Sequence, residues 1–257
     1  IHAPKGAQEG DDVAALYGIA HYEPKIRHPG LAGVKMGGEA EKGPPGHYPK
    51  YDIDSFQRYA KDVFVKGEPV WITEKTHGTN STFMFLDGRM WVKSRSEWKK
   101  PPFIPRWWQF WKKPQKEVLW WKILKKYPQI ESFCRAFPGY LVQGEVYGWV
   151  QNLTYGAKSP DDVWFAAFDI RDKDGNYLDS ELAIKLAEDF NIPWVPIIAK
   201  NLEYDFDLIV SMADGNSYIA KDQMREGIVI VPANERFNSR IGRVKLKVVS
   251  PRYLEKS

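Results

Sequence analysis

Cysteine is nearly absent from this chain: Cys134 is the only one in 257 residues. That excludes an internal disulfide and a Cys-rich zinc site, and it suits a reducing compartment. Apolar runs long enough to span a membrane are also missing, and the polar opening IHAPKGAQEGDD does not read as a signal peptide. The expectation is therefore an intracellular protein (cytoplasm, nucleoid or host cytoplasm) with no membrane partner. Charge of one sign is scarce as well. The 37 basic and 33 acidic residues leave a net charge of +4, which permits nucleic-acid binding without requiring it. No internal repeat is visible. The chain starts with Ile rather than Met, as a piece of a longer protein would.

What is present is a globular composition, 43% apolar and 27% charged, enough for one large domain or two modest ones. Aromatics are high at 14%, with 11 tryptophans. Residues 1–50 are rich in Gly and Pro around the short pattern DVAALYGI, and read as a linker or arm, or as the end of a missing amino-terminal domain. YDIDSFQRYAKDVF (51–64) has helical spacing in Phe56, Tyr59 and Val63. PVWITEK, STFMFLD and RMWVKSR read as strands, the last two joined in a hairpin by Asp87-Gly88. KEVLWWKILKKY reads as a helix, YLVQGEVYG and VWFAAFDIRD as strands, ELAIKLAEDF as a helix, and IPWVPIIAK, REGIVIVP and GRVKLKVV as three further strands. Strands in succession with irregular helices predict an α+β fold with antiparallel sheets. The predicted main domain is 51–257.

Polar residues embedded in these strands carry the chemistry. WITEKTHGTNSTFMF places Lys75 in a polar turn between two β-prone stretches. The bland reading of EKTHGTN is a solvated hairpin loop; the sharper one is a nucleophile held where a phosphate arrives. Lys245 and Lys247 alternate with Val244, Leu246 and Val248, so both lysines share a strand face away from the apolar set. By itself VKLKVV is an ordinary basic strand face, and Glu145 and Glu226 are ordinary strand-end acids. The order is what distinguishes them: Lys-x-His-Gly, Gly-Glu, Phe-Asp, Glu-Gly, Lys-x-Lys.

That series resembles the covalent nucleotidyltransferases, the family of ATP-dependent DNA and RNA ligases and mRNA capping enzymes. The likeness covers roughly residues 50–253, with EKTHGTN similar to motif I, VKSR to motif Ia, QGEVYG to motif III, VWFAAFDI to motif IIIa, REGIVIVP to motif IV and VKLK to motif V. The His and Asn of EKTHGTN point to the nick-sealing RNA ligase branch, where DNA ligases carry Asp in the third place. The resemblance implies an adenylation domain with ATP in a cleft, and ligation in three steps. A lysine attacks the α-phosphate of ATP, AMP moves to a 5′-phosphate, and a 3′-OH displaces AMP.

The resemblance also implies roles. Lys75 is the nucleophile; a free lysine is protonated at pH 7, so nearby cations such as Mg2+ (or Mn2+), Lys247 or Arg95 have to favour the neutral amine. Lys247 faces the phosphate with Lys245 close by, neutralising charge in a reaction governed by positioning and electrostatics. Glu226 holds water around the metal, and few carboxylates suffice for Mg2+. Glu145 binds ribose, Phe168 stacks on adenine, Asn80 meets the ribose or phosphate edge, Arg95 contacts the 3′-OH side or the phosphate, and Glu74 and His77 complete the nucleotide-binding set. The implied partner is a nicked duplex with RNA at the 3′-OH end, bound by a monomer. A capping-type guanylyltransferase would use GTP and carry Asp in place of His77. A catalytically inactive nucleic-acid-binding relative would not need the intact lysines and glutamates.

Between Glu97 and Tyr127 the chain mixes six tryptophans with nine basic residues. RWWQFWKK (106–113) is a candidate contact for nucleic acid. Residues 114–127 fit an amphipathic helix burying Trp120, Ile123 and Leu124. No five-stranded pattern for an OB-type substrate domain is found before or after the motifs.

Overall fold

The computed structural model describes residues 40–46, 48–103, 108 and 117–256. Two mainly antiparallel sheets organise them, and the chain passes from one to the other where EKTHGTN lies. The six-stranded sheet has the order β1-β6-β5-β4-β7-β8, from β1 (Ala40–Glu41), β4 (Gly78–Leu86), β5 (Arg89–Ser94), β6 (Trp98–Lys99), β7 (Leu141–Gly148) and β8 (Val163–Arg171). The five-stranded sheet has the order β2-β13-β10-β3-β9, from β2 (Asp54–Ser55), β3 (Pro69–Glu74), β9 (Ile197–Glu203), β10 (Gly227–Pro232) and β13 (Leu246–Val249). A ribbon of β11 (Phe237–Asn238) and β12 (Gly242–Arg243) stands apart. The α+β class with antiparallel sheets is therefore as the sequence predicts; among the described strand pairs only β2–β13 is parallel, beside an isolated parallel bridge between Ala167 and Trp194.

Local chemistry accounts for the elements. Helix α1 (Phe56–Val63) buries Phe56, Ala60 and Val63, spaced to fall on one helical face. The β4–β5 hairpin closes on Asp87 and Gly88, whose φ values of 51° and 77° are the left-handed pair that a two-residue turn requires. β10, GIVIVP, is buried along its whole length between β13 and β3, so it needs apolar residues on both faces.

Each sheet carries its own core. Phe83, Val92, Val142, Val146 and Phe165 of the six-stranded sheet pack with Ile123, Leu124, Ile130 and Phe133 from α2 (Leu119–Lys126) and α3 (Pro128–Ala136), and with Ala183 and Ala187 from α4 (Ser180–Asp189). Ile72, Ile228, Ile230, Leu246 and Val248 of the five-stranded sheet pack on α1 and on Ile209 of α5 (Phe206–Met212). A last helix, α6 (Pro251–Lys256), follows β13. Cys134 is fully buried on α3, and burial pushes its thiol up, so it behaves as a small apolar side chain. Among the described residues, no helix is long and apolar enough to cross a membrane.

Several sequence expectations are corrected here. GRVKLKVV is not one strand: Gly242–Arg243 pairs with Phe237–Asn238, and the ladder resumes only at Leu246. IPWVPIIAK becomes strand only from Ile197. The helix of KEVLWWKILKKY is followed directly by α3, whose Pro128 starts the helix at its first turn. Ala40–Glu41, in the segment read as an arm, pairs with Trp98–Lys99. Residues 1–39 lie outside the described residues, as does RWWQFWKK apart from Trp108. On α2 the amphipathic reading holds: Ile123 and Leu124 are buried, Trp120 packs partly buried on the core, and Lys125 faces water.

Candidate active site

Lys75 sits where the two sheets meet. β3 ends at Glu74 in one sheet and β4 begins at Gly78 in the other, so EKTHGTN is a crossover between sheets and not a solvated hairpin. Thr76 and His77 are buried, and backbone contacts fix the turn from several sides. The Lys75 N–H donates to the Gly227 carbonyl at 3.0 Å, the His77 N–H to the Tyr155 hydroxyl at 2.7 Å, and the Gln151 amide to the Gly78 carbonyl. Two glycines allow this close fit. A Cβ on Gly78 would lie 2.1 Å from the Val146 oxygen, and one on Gly227 would lie 2.0 Å from the Val248 oxygen.

A cavity of about 390 Å³ opens beside Lys75, between the sheets. Thr73, Val229 and Lys247 are direct cross-strand neighbours on one wall. Asn80 and Glu145 are direct neighbours on the other, with Phe168 and Arg95 beside them. In β10 the alternation sends Ile228 and Ile230 into the core and leaves Val229 to the cavity. In β8 a register shift falls between Gln143 and Gly144 of the partner strand, where Asp169 and Ala167 face them and Phe168 is the extra residue. That bulge lets Phe168 reach the cavity and keeps Asp169 off the apolar core face used by Phe165 and Ala167.

The charges around Lys75 are paired. Its Nζ lies 2.6 Å from Glu226 Oε1, and Glu226 Oε2 lies 3.0 Å from His77 Nδ1. Burial works to raise the Glu226 carboxyl, but the His77 ring and the Lys75 ammonium more than offset it and hold the group below its usual range. Glu145 is the opposite case. Burial pushes its carboxyl up to about 8, the nearby Glu226 charge adds to this, and Lys75 and Arg95 work against it. Glu74 turns its carboxylate away from the turn, accepting from the Ser217 hydroxyl and from the Tyr218 N–H at 2.7 Å. Thr76 Oγ1, His77 Nε2 and Asn80 Oδ1 are buried without a protein partner among the described residues.

Every residue singled out from the sequence thus falls in one place. Lys75, Glu74, Asn80, Arg95, Glu145, Phe168, Lys245 and Lys247 line the cavity, while His77 and Glu226 lie immediately behind Lys75. Lys245 departs from the picture of a solvated basic face. It is 6% exposed, and its Nζ donates to Asp169 Oδ2 at 2.8 Å. Burial lowers its pKa, which the Asp169 charge opposes and Arg243 reinforces.

Asp169 was counted in the Phe-Asp pair of the sequence reading but given no role there. It is buried and accepts from the Tyr51 hydroxyl at 2.6 Å, from both outer nitrogens of Arg243 at 2.8 Å, and from Lys245. Burial works to raise it, but the two cations bring it down to about 2. An acid inside the apolar run VWFAAFDI was the available signal, since a buried carboxylate demands cationic partners. Tyr51, whose ring lies 4.8 Å from that of Phe168, and Asp52, 2.6 Å from Arg95, were likewise not read as site residues.

Among the described residues no group of three or more His, Cys, Asp or Glu side chains is arranged to hold a metal ion. A family model described as RNA ligase matches residues 68–249. Among solved structures, a lysine-to-alanine mutant of Naegleria gruberi RNA ligase with ATP and Mn is 25% identical, with TM-score 0.69, over 98% of this chain and 69% of that one. The same enzyme with PPi is 26% identical, with TM-score 0.70, over 98% and 69%. A lysine-to-methionine mutant with AMP and Mn is 25% identical, with TM-score 0.71, over 99% and 70%. No curated protein sequence matches.

Proposed function

The chain belongs to the RNA ligase family, and from that premise we propose that it is an ATP-dependent RNA ligase sealing nicks through a lysyl-AMP intermediate on Lys75. The observation that carries this reading is the convergence of Lys75, Glu145, Arg95, Lys245 and Lys247 on one cavity, with Glu226 paired to Lys75 behind it. Solved relatives that hold ATP or AMP with Mn support the choice of nucleotide and of a divalent metal.

In the first step the Lys75 Nζ lone pair attacks the α-phosphorus. The N–P bond forms, the bridging P–O bond breaks, and pyrophosphate leaves with the electron pair. The lysine loses its proton to water before attack, favoured by the cations around the phosphate, while Glu226 Oε1, 2.6 Å from Nζ, positions the amine. Lys247 and Arg95 counter the phosphate charge, where positioning and neutralisation supply most of the rate. Phe168 offers adenine an aromatic face. A Glu145 carboxyl that stays protonated near neutrality both donates and accepts, which matches the two-way hydrogen bonding of ribose hydroxyls. In the second step an oxygen of the RNA 5′-phosphate attacks the same phosphorus and the N–P bond breaks, restoring Lys75. In the third the 3′-OH attacks the activated 5′-phosphorus and AMP departs.

The donor set fits a hard divalent cation. Glu226 is held ionised and retains acceptor capacity beyond its contacts to Lys75 and His77, enough for the waters that Mg2+ keeps. When bound, such an ion neutralises phosphate charge as a Lewis acid.

Incubation with ATP or GTP labelled in the α-phosphate tests the reading. Covalent label from ATP alone is expected. Label from GTP would indicate capping-type chemistry, and label from neither would indicate a binding relative without catalysis.

A further inference from the structure

The segment just before α1 lines the cavity, and it brings an acid to two of the cavity's cations. Tyr51, Asp52 and Ile53 all line the cavity. Asp52 Oδ2 accepts from Arg95 Nη2 at 2.6 Å, and its Oδ1 lies 3.9 Å from Lys247 Nζ. Both cations line the same cavity, so one carboxylate bridges two of the groups that would otherwise meet phosphate. A guanidinium fork reads carboxylate and phosphate oxygens by the same geometry. Asp52 is also tethered on both sides. Upstream, Tyr51 is fixed by its hydroxyl on Asp169 and its ring against Phe168. Downstream, Asp54 and Ser55 pair with Leu246 and Lys247. The carboxylate is therefore held near its two cations at high effective concentration.

We propose that Asp52 is a built-in phosphate surrogate: it occupies Arg95 and Lys247 while the cavity is free of nucleotide, and ligand phosphates must displace it. This makes Asp52 a specificity-determining residue. A ligand without phosphate has nothing to exchange for the Asp52 contact, whereas a polyphosphate replaces one carboxylate charge with several. The proposal rests on reading the cavity as the ATP site. The contact is an exposed ion pair, with Asp52 56% and Arg95 50% accessible, which sets a modest scale for the effect. Exposed pairs of this kind correspond to about two- to fivefold in an equilibrium constant.

The test is calorimetric titration of the full chain and of Asp52→Asn with ATP, pyrophosphate and adenosine. Asp52→Asn should bind ATP and pyrophosphate about two- to fivefold more tightly, with adenosine unchanged. The gain should shrink when Arg95→Ala is added, because the two residues act through one contact. Unchanged or weaker pyrophosphate binding by Asp52→Asn overturns the proposal, since Asp52 would then be idle or would be positioning Arg95. Equal tightening of adenosine overturns it too, by pointing to a general change in the cavity. Pyrophosphate reads the Asp52 effect whether or not Lys75 accepts AMP, so failure of the adenylation reading is seen separately. If neither form binds ATP or pyrophosphate, both readings fall together.

Discussion

Glu145 and Asp169 lie on adjacent strands, and their surroundings drive their carboxyls in opposite directions. Glu145 faces the cavity with its carboxyl raised to about 8, while Asp169 is pinned by Arg243 and Lys245 and lowered to about 2. The consequences for stability have opposite signs. A folded-state pKa raised above the unfolded value stabilises the fold fully at low pH, and that contribution is lost as pH climbs through the folded value. In the nucleotide-free protein, the melting temperature of Glu145→Gln should therefore rise relative to the parent from pH 4.5, the ordinary value, up to about 8, and level off above it. Parallel melting curves across that window would contradict the assignment. For Asp169 the folded value is depressed, so its contribution holds above the unfolded pKa and is lost as pH falls towards about 2. Asp169→Asn leaves Arg243 and Lys245 buried with their main counter-charge gone, and should cost about 3–5 kcal/mol. Chemical denaturation measures this, and a loss below about 1 kcal/mol would mean the network relaxes without it.

At the scale of elements, legibility followed the range of the interactions. The β4–β5 hairpin was readable because Asp87-Gly88 settles it locally. The GRVKLKVV run was not, because Lys245 leaves the ladder for an acid 76 positions away in sequence. The helix that follows the Trp- and Lys-rich segment shows another limit. Ile130, Phe133 and Cys134 have helical spacing, but Pro128 reads as a stop when it is in fact a start. In the site, alternation within strands picked out Lys245 and Lys247, and the order of the motifs, by resemblance, picked out Glu145 and Phe168. Neither could show that EKTHGTN joins two different sheets, or that Tyr51 and Asp52 line the cavity. Trp120 links these scales, since its indole N–H donates to the Asn80 carbonyl at 2.9 Å and ties α2 to the cavity wall. Gly227→Ala tests the sheet junction. Its Cβ would press into the Val248 carbonyl at 2.0 Å, so the β10–β13 pairing must shift. Stability should fall by about 1–3 kcal/mol, as overpacking does, and adenylation should weaken with it. An unperturbed melting temperature would show that the strands have more room than the fold implies.

At the scale of the whole molecule, the cavity proposed for the nucleotide is assembled within the described residues, while the chain spans about 70% of the solved ligase it resembles. The proposal that follows is a body able to accept AMP by itself, whose sealing of nicks gains from duplex-binding energy supplied elsewhere. A version extended at its amino terminus should seal better, and more so with a ribose than a deoxyribose at the 3′-terminal position, where the 2′-OH offers an extra contact. Equal sealing by both versions, or indifference to the sugar, would contradict this. The central claim is covalent chemistry on Lys75, and intact-mass measurement after incubation with ATP and a divalent metal tests it most directly. The parent chain should gain one AMP and Lys75→Ala none, with the variant melting like the parent. An AMP adduct on Lys75→Ala, or no adduct on the parent, would contradict the account.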